Sequence, residues 1–275
     1  MFTDFGNFLK ITAKEISEDR VNEGAAALAY YITLATFPAL ITVIALVPYF
    51  PIEGLEATLI QMINNNLPGN TGRILSEILK EVIDLNKPAL FSTGFIAAIW
   101  ATSSGMGSII NQLNVAYDIK EDRGIVKNRI AAIILTFGYM VTVVLATMLI
   151  IKSRGLSSAL DELSDSSFFI NYMVSAVRYF IAYLVLLAGF ASLYYFAPNS
   201  KLPFRFITPG SLFGSTVLIL AAVGFDYYIS NFANYDKTYG SIGGIVVYMV
   251  WLYIGSFVLL VGAEINGVYE RQSSE

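Results

Sequence analysis

The 275-residue chain has no cysteine and no histidine. Without cysteine there is no disulfide, no thiolate nucleophile and no haem-attachment motif. Without histidine the commonest general base is gone, and so is imidazole ligation of zinc. Charge is scarce as well: Asp, Glu, Lys and Arg make up 14% of the residues, against about 25% in soluble globular chains. A GxxxxGK[ST] phosphate loop is missing, so ATP is not expected to be used by this chain itself. No basic stripe or aromatic RNA-binding motif occurs, so nucleic acid is not an expected partner. Metal-dependent RNA hydrolysis needs clustered His and Asp ligands. The acids here are dispersed among helix ends, so an enzyme is not expected, nor a cofactor or a metal.

What the chain does have is apolar length. Hydrophobic residues make up 56% of it, and the mean hydropathy is +0.62. This composition predicts an integral membrane protein. The fold class expected is all-α: a polytopic membrane protein with six transmembrane helices and an amphipathic helical outer loop after the first. Long apolar runs place the spans at about 24–50, 89–117, 130–151, 172–196, 208–230 and 241–265. Together they form a membrane domain over 24–270. The segment 1–23 alternates phenylalanines with Lys10, Lys14, Glu15 and Glu18, which suggests an amphipathic helix on the membrane surface. Loop 52–88 carries helical periodicity at Ile74, Leu75, Ile78, Leu79, Val82 and Leu85. The first apolar run starts near Gly24 and is too long for a signal core, so no cleavable signal peptide is expected.

The second span is the informative one. In a helix, Thr93, Trp100, Ser104, Gly107, Ser108, Asn111, Asn114 and Asp118 share one side. A bare polar group in hydrocarbon costs about 2–7 kcal/mol. This side must therefore face protein, water or cargo. Interhelical hydrogen bonding and a wet cavity both satisfy it.

Other spans carry small-residue stripes. Gly210 and Gly214 form a GxxxG pair, and Gly244, Gly255 and Gly262 share a face in the sixth span. Such stripes let helix backbones approach. Charges within the spans are few: Arg178, Asp226 and Glu264, with Glu23 and Asp118 at span ends. Intramembrane charges are expensive and mark functional positions. Arg178 and Asp226 are expected at similar depth and are expected to approach each other. Glu264 reads either as a solvated interfacial acid or as a gating carboxylate. With the N-terminus inside, inner segments hold ten Lys or Arg and outer segments six. That bias predicts both termini in the cytoplasm.

Four blocks carry a family likeness: EGAAALAYYITLATFPAL from Glu23, WATSSGMGSIINQLNVAYDIKEDR from Trp100, the proline-basic loop before Thr208, and YGSIGGIVVYMVWLYIGSFVLLVGAEIN from Tyr239. The chain resembles the YihY/BrkB family of bacterial inner-membrane proteins, once labelled a ribonuclease BN family. The resemblance implies six spans, cytoplasmic termini and a bacterial plasma membrane.

Two functions fit these residues, and the resemblance implies the lipid-like, envelope character of the substrate in the first. One is a transporter or flippase for an amphiphilic or lipid-like envelope substrate. Its cavity residues would be Ser104, Ser108, Asn111, Asn114, Asp118, Arg178, Asp226 and Glu264. Transport would run downhill or on an ion gradient. The alternative is a non-transporting scaffold of the cell envelope. Membrane lipids are expected partners, and an oligomer stays open.

Overall fold

The computed structural model describes residues 5–46, 60, 77, 88–139, 168–199, 205–231 and 241–274. Helices account for nearly all of them, and no strand occurs among the described residues. In chain order they are α1 (Phe5–Glu18), α2 (Val21–Leu46), α3 (Pro88–Ala116), α4 (125–139), α5 (Phe168–Phe196), α6 (Pro209–Asn231) and α7 (Ser241–Ser274). The outer loop expected over 52–88 lies outside this set, apart from its last residue and from positions 60 and 77, both helical.

Local chemistry sets the helix ends. At the start of α6, Thr208 and Ser211 cap each other. The Ser211 N–H donates to Thr208 Oγ1 at 3.1 Å and the Thr208 N–H donates to Ser211 Oγ at 2.9 Å. Pro209 takes the first helical position, where its missing N–H is not needed. At the end of α3, Asp118 adopts φ 53°. There the Ile119 N–H reaches back to the Asn114 carbonyl at 2.8 Å and the Asp118 N–H to Val115 at 2.9 Å. This left-handed termination satisfies the last carbonyls. Arg20, at φ 52°, ends α1 in the same conformation.

Two helical stretches, Pro209–Ile229 and Gly244–Ser273, are long and apolar enough to cross a membrane. Their apolar side chains face mainly outward: Leu220, Val223, Ile245, Val246 and Val250 are all exposed. An exposed apolar surface of this extent fits contact with lipid. α7 runs nine residues beyond the expected end of the sixth span. The extension is held by packing, with Val268 buried in the core and Gly267 against the Ala116 carbonyl of α3.

The core gathers where α2, α3, α5 and α7 meet. Leu28, Ile110, Leu113 and Leu260 are fully buried there. The Tyr194 hydroxyl of α5 donates to the Leu259 carbonyl of α7 at 2.8 Å. Glycines set the α6–α7 crossing. A Cβ on Gly210 would strike the Gly262 carbonyl, and one on Gly262 would strike the Tyr194 hydroxyl. The Gly210 N–H donates to Asn266 Oδ1 at 2.8 Å across the same crossing. Further along this small-residue stripe, Gly224 faces open space. The close approach is confined to one half of α6.

Candidate functional site

The polar side of α3 divides lengthwise. Successive residues in a helix turn by about 100°, so Asn111 and Asn114 sit about 60° apart. That step is enough to separate outside from inside. Trp100 is 67% exposed, Asn111 and Asp118 are exposed, and Ser104 and Ser108 are half-buried. Ser103 and Asn114 lie one step round the helix and are buried, Asn114 with 3% exposure. From Trp100 to the helix end at Ala116, sixteen residues rise roughly 24 Å, most of a hydrocarbon core of about 30 Å.

Arg129 of α4 lies on this exposed stripe. Its Nη1 donates to Ser104 Oγ at 3.1 Å and its Nη2 to the Trp100 carbonyl at 2.8 Å. The guanidinium also stands 4.0 Å from the centre of the Trp100 ring. The ring's negative face attracts the cation. The Trp100 carbonyl already accepts from Ser104 Oγ at 2.7 Å, so the guanidinium shares a polarised acceptor. Roughly 18 Å of helix separates Ser104 from Ala116. The stripe thus presents a half-buried cation flanked by an aromatic face and a hydroxyl.

Asn114 has a different task. Its Nδ2 donates to Glu121 Oε2 at 2.7 Å, and its Oδ1 accepts the Asn199 N–H at 2.7 Å. Glu121 in turn accepts from the Arg123 backbone at 2.9 Å and from its guanidinium at 2.8 Å. Arg123 also donates to the Ala197 carbonyl at 3.1 Å. This network ties the loop after α3 to the end of α5. The bonds from Arg123, with help from Asn114, hold the Glu121 carboxyl below its ordinary value.

The remaining expected residues fall in separate places. Asp118 pairs with Arg271 near the end of α7. Glu264 is buried, with 1% exposure. Its carboxylate lies beside those of Glu15 and Asp19, the three oxygens within 4.8 Å of one another. Arg271 reaches Glu15 at 3.3 Å. Burial, and then the charge of Glu15, pushes the Asp19 carboxyl above its ordinary value. Asp226 is exposed on α6. The Arg178 side chain lies outside the described set, so its expected approach to Asp226 does too. An apolar cleft of about 390 Å³ opens between α6 and α7, lined by Phe225, Tyr228, Val247 and Val250 among others. None of the expected site residues lines it.

Sequence reasoning missed Arg129, Glu15, Asp19, Glu121 and Arg271 as site residues. By position, Lys and Arg outside the spans report topology, and the acids of residues 1–23 fit a surface helix. In the sequence Arg129 stands at the edge of the loop before the third span, and only the structure starts α4 at 125 and so carries Arg129 one turn inside a helix.

The profile of the family described as virulence factor BrkB matches residues 12–275. The ribonuclease-like protein YfkH of Bacillus subtilis is 33% identical over 266 residues, covering 97% of this chain and 96% of that one. The UPF0761 membrane protein PBPRA3489 of Photobacterium profundum is 28% identical, covering 94% of this chain and 79% of its own length. A UPF0761 membrane protein of Aeromonas salmonicida is 29% identical, covering 99% and 93%. No solved structure matches the chain.

Proposed function

The chain belongs to the BrkB family of bacterial membrane proteins, and from that premise we propose that it moves an amphiphilic, lipid-like envelope substrate across the plasma membrane. The exposed polar stripe of α3 carries this reading. An amide, two hydroxyls and a guanidinium set along roughly 16 Å of helix between Trp100 and Asn111, about half a hydrocarbon core, suit water or a headgroup rather than lipid tails, which cannot bond them. Arg129 suits an anionic or zwitterionic headgroup, which it can bind in charge-assisted fashion. Substrate tails would stay in lipid while the headgroup follows Trp100, Ser104, Ser108 and Asn111. Asp118, Asp226 and Arg178 would edge the route, while Glu264, buried beside Glu15 and Asp19, lies off it.

Six crossings with both termini cytoplasmic remain part of this proposal. Helix length supports five of them: α2, α3, α5, α6 and α7 have 26, 29, 29, 23 and 34 residues, and a crossing needs about 20. The charge bias of the loops supports the orientation. The name carried by the Bacillus relative suggests RNA hydrolysis. No histidine is present to support it.

The reading is tested in proteoliposomes containing a trace of fluorescent anionic phospholipid. Dithionite added outside bleaches only lipid that reaches the outer leaflet. Wild-type protein should expose inner-leaflet lipid faster than protein-free vesicles do. Arg129→Leu and Asn111→Leu should slow it, while Arg129→Lys keeps part of the rate. A wild-type rate equal to protein-free vesicles, for anionic and zwitterionic lipids alike, overturns lipid movement. That outcome favours the alternative, a membrane scaffold whose stripe is covered by a partner. Asn114 supports the scaffold reading, since both its polar groups are engaged within the chain.

A further inference from the structure

At the far end of α7 from the apolar cleft, three carboxylates meet without enough positive charge. Glu15 lies in the last turn of α1, Asp19 directly follows that helix, and Glu264 belongs to α7. Three oxygens mutually within 4.8 Å all lie within 4.8/√3, about 2.8 Å, of one common point. Calcium–oxygen bonds run at about 2.3–2.6 Å and magnesium–oxygen bonds at about 2.0–2.1 Å. Only small side-chain shifts would bring the three oxygens onto a cation there.

A second observation points the same way. Glu264 is 1% exposed, and its Oε2 has no hydrogen-bond partner. Asp19 Oδ2 has none either. A carboxyl buried this deeply is normally satisfied by donors, a counter-charge, a proton or a metal; Asp19 and Glu264 stand within hydrogen-bonding reach of each other, so without a cation they can share one proton, which a bound cation would displace. Arg271 reaches the group through Glu15 and is shared with Asp118. The contacts of that one guanidinium go to Glu15 and Asp118, which leaves the three-carboxylate group short of positive charge. A monovalent ion leaves most of that shortfall in place, whereas a divalent ion removes most of it. The donors are all carboxylate oxygens, which selects a hard cation over zinc or copper.

We propose that Glu15, Asp19 and Glu264 bind one hard divalent cation, of the calcium, magnesium or manganese kind, which clamps α1 to the end of α7. The site is independent of whether the chain moves a substrate. It joins residues about 245 positions apart in the sequence, so its occupancy would govern how firmly the N-terminal helix is docked.

The test uses the full chain in detergent, stripped with EDTA and titrated separately with Ca²⁺, Mg²⁺ and Mn²⁺. Calorimetry should give one equivalent bound for at least one of them. The same ion should raise the melting temperature followed by tryptophan fluorescence and protect α1 from protease. Glu264→Gln and Asp19→Asn should each weaken binding at least tenfold. Glu18→Gln, an acid of the same helix that pairs with exposed Lys14, should leave binding unchanged. In EDTA, Glu264→Gln should melt at or above the wild-type temperature, because the stranded charge is gone, so lost binding cannot be put down to misfolding. Absence of saturable binding by all three ions overturns the proposal. So does binding that survives both Glu264→Gln and Asp19→Asn.

Discussion

Asn111 and Asn114 stand one helical turn apart and should respond to the same substitution in opposite ways. Replacing Asn114 with Ala removes the donor to Glu121 and strands the Asn199 N–H. A lost hydrogen bond to a charged group costs about 1.5–3 kcal/mol and a stranded part-buried N–H adds about 1 kcal/mol, so the loss should be about 2–4 kcal/mol. Neutral interhelical bonds in membranes are worth only about 0.6 kcal/mol on average. The charge of Glu121 is what lifts this one above that level. Arg123 keeps its own bonds to Glu121, which sets the upper limit. Asn111 is exposed, and Asn111→Ala should stay within about 0.5 kcal/mol of wild type. Reversible unfolding in mixed micelles, followed by tryptophan fluorescence, measures both. In the lipid-movement assay the order should invert once surviving protein is normalised, with Asn111→Ala slower than Asn114→Ala. Equal stability losses for the two would refute the division of the α3 polar face into a structural and an exposed half.

Two further outcomes follow from the packing and the loop network. Gly210→Ala forces a methyl onto the Gly262 backbone and should destabilise by about 1–3 kcal/mol, whereas Gly224→Ala meets nothing and should gain about 0.5–1 kcal/mol from helix propensity; thermal unfolding of both variants checks the contrast. Glu121 is held below the ordinary glutamate value of 4.5 by Arg123, so its contribution is full above that value and is lost as pH falls through its lowered folded value. The stability gap between wild type and Glu121→Gln should therefore hold steady above the ordinary value of 4.5 and close as pH falls below it. Asp19 is shifted upward and acts with the opposite sign, which is why the measurement is made as a difference from Glu121→Gln.

Much of the helical skeleton was legible because apolar runs long enough to cross a bilayer announce themselves. The ends of α3 and α6 fall within a residue or so of the hydropathy boundaries. α7 does not, because hydropathy ends at Ile265 while the helix continues on contacts with α1 and α3. The polarity of α3 was legible too, but a list of residues on one side does not say where burial begins. A step of about 60° decides between Asn111 and Asn114, and only the neighbours of α3 fix it. Glu264 stood out as a charge in an apolar run. Its companions did not, since Glu15 and Asp19 read locally as ordinary acids of an amphipathic helix. Arg129 was hidden by the convention that a basic residue after a span reports orientation.

The water accessibility of the α3 stripe decides the matter most directly. The chain has no cysteine, so Ser104→Cys, Asn111→Cys, Ile110→Cys and Asn114→Cys can each be made singly and treated in intact membranes with a charged thiol reagent. Rapid labelling is expected at 104 and 111, and protection at 110 and 114. Protection at all four positions would contradict this, since the stripe would then be sealed against water.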